Sequence, residues 1–490
     1  MPISILTTIL IIILTLLIVA VAISYYKSQK SECVLKPPSP WLKLPLIGHL
    51  HLLHGYEVPY QAFTELGRKY GNVVGLQLGQ VKCVVVNEQK NIRETLVTRG
   101  SHFDYRPNFE RYRRLFSGNK ENSLAFCDWS KTQKIRRDML KAYTFPRAFT
   151  NNYHSLDELI TNCTQEMLQE FGENPLDLKP IFLRCCARIF LLHFCSRNFH
   201  MEADFLRMIN NFDEVFFEVN QGYAADFLPF LMPLHKKKMQ KLNEVTSEIR
   251  QFINDRVIGD KFQVYNPDLE HGDYLESLIG HVKKESIDWE TALFALEDII
   301  GGHSAVGNFL TKLFGYLVNE PEVQKKIQDE IDLTIGKERP ISIYDRNQLV
   351  YIEATVFEAI RMISSPIVPR VANQTSSIGG YQIEKGTVIF LNNYNLSMSN
   401  DLWENPEKFC PERFVKNGKL YKPDYFLPFG GGRRSCMGYK LVQLVSFGIL
   451  GSVMQNFDVK PVKNERYQVQ AGSLALGKDS FKFMLEQRKR

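Results

Sequence analysis

The sequence predicts a mainly α-helical fold with small β-sheets, preceded by one N-terminal transmembrane helix. Three observations carry that reading. Residues 122–253 place apolar side chains at helical spacing with few strand signals. Residues 289–319 keep a single helical pattern, long for a globular protein and suited to a central strut. Residues 3–24 contain no charge, and about 20 such residues suffice to cross a bilayer.

A chain of 490 residues with 44% apolar content can bury one large core, and no repeat or low-complexity segment divides it. The formal charge of +6 is slight for that length and argues against a nucleic-acid binder, in which basic residues are far more concentrated. The nine cysteines follow no regular spacing, and Cys185 and Cys186 are adjacent. They read as reduced thiols facing the cytosol rather than a disulfide framework.

Residues 1–26 read as the membrane anchor. Lys27 and Lys30 follow the apolar run, the reverse of a cleavable signal peptide, and the positive-inside rule then places the rest of the chain in the cytosol. Pro37, Pro38 and Pro40 enforce a stiff hinge over residues 27–45, which leaves residues 46–490 as the folded domain. His49, His51 and His54 lie close together, but without a second ligand group they read as a packed segment rather than a metal site.

A helix over Pro59–Tyr70 leads to two apolar runs, Val73–Leu78 and residues 81–87, joined at Gly79-Gln80 as a β-hairpin. Helical breaks are expected at Pro146, Pro175 and Pro180. The apolar run of residues 227–234 enters Lys236-Lys237-Lys238. Two readings stand for it, a patch that dips into a membrane surface or a buried turn beside a solvated charge run. Pro321 ends the long helix. A helix over residues 346–363, a strand over 387–391, an irregular loop over 406–428 and a helix after Cys436 complete the series.

Ahead of that last helix lies Phe429-Gly-Gly-Gly-Arg-Arg-Ser-Cys436-Met-Gly438. A cysteine set among glycines can be approached by backbone N–H groups, and Arg434 two residues earlier favours its thiolate. This is the setting of a metal ligand. A phosphate loop would need a preceding strand and a following Lys-Ser/Thr pair, and a zinc site more neighbours than Cys410. A buried structural cysteine is the plain alternative. The spacing of Phe429, Gly432, Arg434, Cys436 and Gly438 resembles the haem-binding signature of the cytochrome P450 family.

The resemblance covers essentially the whole chain and implies the P450 fold. It implies haem b held by the Cys436 thiolate, whose sulfur favours O–O cleavage, with electrons from NADPH through NADPH-cytochrome P450 reductase. Phe429, Gly432 and Gly438 would shape the cofactor loop. Arg434, Arg370 and the Trp129 indole would hold the propionates. The family's Trp-x-x-x-Arg pattern departs here, because Gln133 stands where the arginine would be; its amide still donates a neutral hydrogen bond.

Glu358 and Arg361 stand three apart on one helix face. Glu65 with Arg68 and Glu110 with Arg113 share that spacing, so position decides. Only the pair at Glu358 precedes Pro411-Glu-Arg-Phe414 and the cysteine loop in the family's order. There the resemblance implies that Arg413 completes a buried charge network beneath the haem, against the plain alternative of a solvent-facing pair. Lys131, Lys134, Arg136, Arg137, Lys141, Arg433 and Lys440 either dock an acidic reductase or form a solvated face.

The long helix departs most from the family. Its usual segment carries an acid and an alcohol that deliver protons to dioxygen, whereas this chain reads Gly301-Gly302-His303-Ser304-Ala305-Val306-Gly307-Asn308. The glycines allow a kink or groove. Ser304 replaces the acid and Ala305 the threonine, and an alanine methyl neither donates nor accepts a hydrogen bond. Gly302, Ser304 and Ala305 are the candidate catalytic residues lining the distal side, with protons supplied by Ser304, ordered water or a substrate hydroxyl. Residues 105–123, the helices before Phe227, and residues 366–368 and 472–476 would shape the pocket.

That eight-residue run resembles the spook-type subgroup of arthropod P450 enzymes. Membership implies an enzyme of the endoplasmic reticulum membrane acting early in ecdysteroid synthesis on a sterol such as 7-dehydrocholesterol. The expectation is a haem-thiolate monooxygenase with an apolar, sterol-like substrate. An isomerase or dehydratase that does not activate dioxygen, and a non-catalytic haem-binding protein, are the alternatives.

Overall fold

The computed structural model describes residues 35–268, 272–336, 339–463, 466–477 and 480–488, with residues 15, 18 and 19. The expected anchor at residues 3–24 lies, apart from those three, outside the described residues. No described helix is long and apolar enough to cross a membrane.

The longer helices are α1 (Pro59–Tyr70), α2 (Lys131–Thr144), α3 (Asn151–Leu168), α4 (Leu178–Cys195), α5 (Ala203–Val219), α6 (Lys236–Phe252), α7 (Tyr274–Lys283), α8 (Trp289–Leu317), α9 (Pro321–Thr334), α10 (Val350–Ile363) and α11 (Tyr439–Asn456). α8 begins where the Asp288 side chain accepts the Thr291 N–H at 2.6 Å, a cap that satisfies one of the orphan donors of the first turn. It ends at Leu317, and Pro321 opens α9, where its missing N–H costs nothing. Nearly all of α8 is buried, chiefly against α4, so it is the strut its length predicts.

Pro180 does not break a helix. It is the third residue of α4, in the first turn where backbone N–H groups have no intrahelical partner, and Asp177 caps that turn by accepting the Lys179 N–H at 2.9 Å.

The largest sheet runs in the order Val73–Leu78, Val81–Val86, Val388–Leu391, Arg370–Val371. Leu78 pairs with Val81 across the expected hairpin, and Val81–Val86 runs parallel to Val388–Leu391. Val74, Leu76 and Val85 pack on one face with Phe63, while Val73, Val84, Val86 and Ile389 pack on the other with Phe103. Cores on both faces explain the near-continuous apolar runs. The sheet brings Arg370 to its edge, beside Val388–Leu391.

Residues 35–40 join no helix or strand, as the prolines require, and lie against that sheet: the Pro38 carbonyl accepts the Gly75 N–H at 2.8 Å. His49 fixes the same junction. The Gln77 N–H donates to its Nδ1 at 2.9 Å, so Nε2 carries the proton and donates to the Pro40 carbonyl at 3.1 Å.

The run at residues 227–234 divides between its two readings. Phe227 packs edge-on against Phe109 with centroids 5.5 Å apart, and Leu228 is buried. Phe230 and Leu234 are 57% and 79% exposed.

Candidate active site

The cysteine loop is shaped by contacts that only particular residues permit. Gly432 has φ +65°, and a Cβ there would fall 2.1 Å from the Leu96 carbonyl oxygen. The Cys436 N–H donates to the Phe429 carbonyl at 3.0 Å, closing the bend, and the Phe429 ring packs on Tyr439. Nothing lies within 4 Å of a Cβ built on Gly438, so no protein neighbour demands glycine there.

Cys436 sits immediately before α11. Burial pushes its thiol up, while the N–H groups of Gly438 and Tyr439 and the Arg137 guanidinium pull the other way. The nearby charge is therefore not the one the sequence suggested. Arg434 turns from the sulfur and donates to the carbonyls of Cys127 at 2.7 Å and Ala125 at 3.2 Å. Arg137 donates to the Ser435 carbonyl at 2.6 Å. Cys436 is itself exposed, so it is open to a ligand.

Arg370 and Arg434 are 2% and 6% exposed, yet Nε and Nη1 of Arg370 and Nε of Arg434 have no partner. Arg106 joins them, donating to the carbonyls of Ala125 and Val368, each at 2.8 Å. Burial and the charges of Arg434 and Arg137 push Arg370 down to about 9; burial and the charges of Arg370 and Arg434 hold Arg106 well below its usual value. Stripped guanidiniums facing one another call for an anion. The two propionates of a haem, set beside a cysteine sulfur, match that donor set. Arg106 had no motif to mark it in the sequence.

Other expected contributors sit elsewhere. The Trp129 ring lies under the Arg433 guanidinium at 4.8 Å, and Arg433 pairs with Asp104. Gln133 is 1% exposed and donates to the Leu124 carbonyl at 2.7 Å, so its amide faces the chain rather than the arginines. Of the basic set, Arg136 is buried on the carbonyls of Glu121 and Asn122, and Lys134 pairs with Asp138 at 2.9 Å. Lys131, Lys141 and Lys440 are exposed.

Glu358 and Arg361 form a fully enclosed bidentate pair, Nε to Oε2 at 2.8 Å and Nη2 to Oε1 at 2.7 Å. Arg413 adds a third bond to Glu358 at 3.3 Å, and the Cys410 N–H a fourth at 2.8 Å. Arg361 also donates to the Ser397 carbonyl and stacks on Trp403. The look-alike pairs Glu65–Arg68 and Glu110–Arg113 are exposed.

On α8 the helical assignment runs unbroken through Gly301 and Gly302. A Cβ on Gly301 would lie 2.9 Å from the Phe212 ring, and one on Gly302 3.0 Å from Phe190. These glycines admit the rings of α5 and α4 where side chains would otherwise stand, and both remain partly accessible. Ser304 is 0% exposed, with Oγ 3.4 Å from His303 Nε2; it does not line open space. Burial drives His303 down to about 4, so its imidazole is neutral. Ala305 remains partly accessible.

Three of the four expected pocket segments meet. Phe109, Tyr112, Phe116, Phe126 and Phe294 form one cluster, against which Val215, Phe227 and Val368 pack. The Gly472 N–H donates to the Ile363 carbonyl at 2.8 Å, and buried Lys312 holds the Gln470 and Ser473 carbonyls at 2.8 and 2.6 Å.

A family model described as Cytochrome P450 matches residues 37–485. Cytochrome P450 307a1 of Drosophila melanogaster is 36% identical over 485 residues, covering 92% of this chain and 89% of the relative. Steroid 17-alpha-hydroxylase/17,20 lyase of Ictalurus punctatus is 28% identical, covering 85% of this chain and 84% of its own. Cytochrome P450 1A1 of Mesocricetus auratus is 28% identical over 89% of this chain and 87% of its own.

Proposed function

This chain belongs to the cytochrome P450 family of monooxygenases, and from that premise we propose that it oxidises a sterol- or steroid-like apolar substrate in an early step of ecdysteroid synthesis. The observation that carries the site assignment is the set of buried, partnerless nitrogens on Arg370 and Arg434, with Arg106 beside them, tied to the Cys436 loop where Arg370 donates to the Arg434 carbonyl. Haem b bound through the Cys436 sulfur supplies the reductive splitting of dioxygen. Arg106, Arg370 and Arg434 would hold its propionates. The N–H groups of Gly438 and Tyr439, with Arg137, steady the sulfur as thiolate.

Above the loop, the rings of Phe109, Phe116, Phe126 and Phe294 exclude water and offer an apolar wall. Ala305 and the enclosed Ser304 leave no hydroxyl of α8 on that side, so protons enter by ordered water or a substrate hydroxyl. The apolar wall, the steroid in the name of one relative and the run from Gly301 to Asn308 support the substrate class.

The membrane placement rests on one surface. Trp41 and Leu46, each 78% exposed, flank the junction where the Ile47 carbonyl takes the Gly79 N–H, and the Gln80 N–H reaches the Phe227 carbonyl ahead of exposed Phe230 and Leu234. With Lys236 to Lys238 at its margin, this surface suits a bilayer interface on the cytosolic side of the endoplasmic reticulum. Electrons then come from NADPH through a reductase.

The test supplies membranes containing this chain with reductase, NADPH and a sterol panel, and identifies products by mass spectrometry. NADPH and oxygen consumption matched to an oxidised sterol is expected. Turnover without either would mark a rearranging enzyme, and the absence of any sterol product or haem spectral shift would end the hormone-pathway reading.

A further inference from the structure

α8 carries two adjacent carboxyls in unlike surroundings. Glu297 is 6% exposed and takes the Arg250 guanidinium at 3.3 Å. Asp298 is only partly covered. Its Oδ2 accepts both the Leu124 N–H and the Ser123 hydroxyl, the latter at 3.2 Å, and among the described residues no hydrogen bond reaches Oδ1. Asp298 stands on a strut otherwise largely buried, with the buried Ser123 and Leu124 against its Oδ2, so its open side faces the interior; burial pushes its carboxyl up to about 6.

A partly open group on a buried strut borders internal space, and Gly301, Gly302 and Ala305 of the same helix are partly open as well. Cys436 is exposed too. One wall links them: Leu124, which holds Asp298, precedes the exposed Ala125, whose carbonyl is taken by Arg106 and by Arg434, two residues from Cys436. On the helix, Asp298 lies three, four and seven residues before Gly301, Gly302 and Ala305, so these positions share a face. Phe294, one turn earlier, packs with Phe116.

We propose that Oδ1 of Asp298 accepts a hydrogen bond from a hydroxyl group of the substrate, anchoring an apolar alcohol in the cavity it shares with Cys436 and selecting it against the matching ketone. The inference rests on the apolar-substrate reading above. Near neutral pH the carboxylate is an acceptor only, so an alcohol completes it. A ketone would set lone pairs against it and leave both groups unpaired, and a site built for a hydroxyl rejects such analogues strongly. The ring system lies against Phe116, Phe126 and Phe294 while one polar group meets the carboxylate, the usual division of labour in such a pocket.

Asp298→Asn provides the test. Its amide oxygen can still accept from Leu124 and Ser123, which turns the NH2 group, a donor, toward the cavity. Haem-loaded full chain, wild type and variant, is titrated with cholesterol, its 3-ketone and its 3-deoxy analogue, and in parallel with 2-adamantanol and 2-adamantanone. Tryptophan fluorescence and the haem absorption shift report binding.

Wild type should prefer each alcohol to its ketone by about tenfold or more, and D298N should reverse the order. A preference reversed only in the adamantyl pair, with no sterol bound, sinks the sterol reading and leaves the carboxylate's role standing. Sterols bound with an alcohol-to-ketone ratio that D298N does not change overturn the assignment and leave the sterol reading standing. Should D298N fail to fold, wild type decides: equal affinity for alcohol and ketone, or no binding in either pair, overturns the proposal.

Discussion

Arg137 on α2 donates from Nη2 to the Ser435 carbonyl at 2.6 Å, tying two segments 298 residues apart directly beside Cys436. A hydrogen bond from a charged donor contributes about 1.5–3 kcal/mol, and this guanidinium also favours the thiolate. Arg137→Ala is therefore expected to release haem faster than wild type on mild heating, with Arg137→Lys between the two. Haem absorbance followed over time checks it, and equal rates would show the contact to be incidental.

Glu358→Ala would leave Arg361 enclosed without its carboxylate. Removing one member of a buried ion pair costs roughly 3–5 kcal/mol, a large share of a protein's stability. The variant should accumulate little haem-loaded protein, whereas Glu65→Ala, at an exposed pair of the same spacing, should change stability by no more than about 0.5 kcal/mol. Haem content per unit of protein measures both.

Gly432→Ala places a methyl against the Leu96 carbonyl oxygen, at a positive φ that L residues rarely adopt. The backbone conformation alone costs of order 1–3 kcal/mol, and the contact forces the loop to move. Gly438→Ala meets no neighbour. Haem affinity should fall in the first variant and fall less in the second; the reverse order would refute the packing explanation.

Asp298 holds its proton to about 6 in the folded chain, against about 4 when unfolded. The native state thus binds more protons between those values, and its stability falls as pH rises from about 4 to about 6, by an amount of order 3 kcal/mol. Arg136, facing it from α2, opposes the shift, which burial dominates. Asp298→Asn lacks this titration. Urea midpoints should therefore move in the variant's favour between about pH 4.5 and about pH 7, and a constant difference would mean an ordinary carboxyl.

The helices and the hairpin were legible because apolar spacing and turn chemistry act locally: the helical pattern ahead of Pro321 and Gly79-Gln80 between strands are signals within a few residues. The Cys436 loop and the Glu358, Arg361 and Arg413 set were legible through motif order. What escaped was carried by contacts distant in sequence. Arg106 meets Val368 across 262 residues, and Arg137 rather than Arg434 faces the sulfur because Arg434 is drawn to Cys127. Pro180 misled because a break signal is harmless in a first turn. Asp298 gave no sign, since an acid on a helix is ordinarily solvated.

The most direct measurement is the difference spectrum of the reduced, haem-loaded chain on adding carbon monoxide. A cysteinate opposite the gas is expected to give a band near about 450 nm, lost in Cys436→Ser but retained in Cys127→Ser and Cys410→Ser. Folded, haem-bearing protein without that band, or a band that survives Cys436→Ser, would contradict the assignment of Cys436 as the ligand.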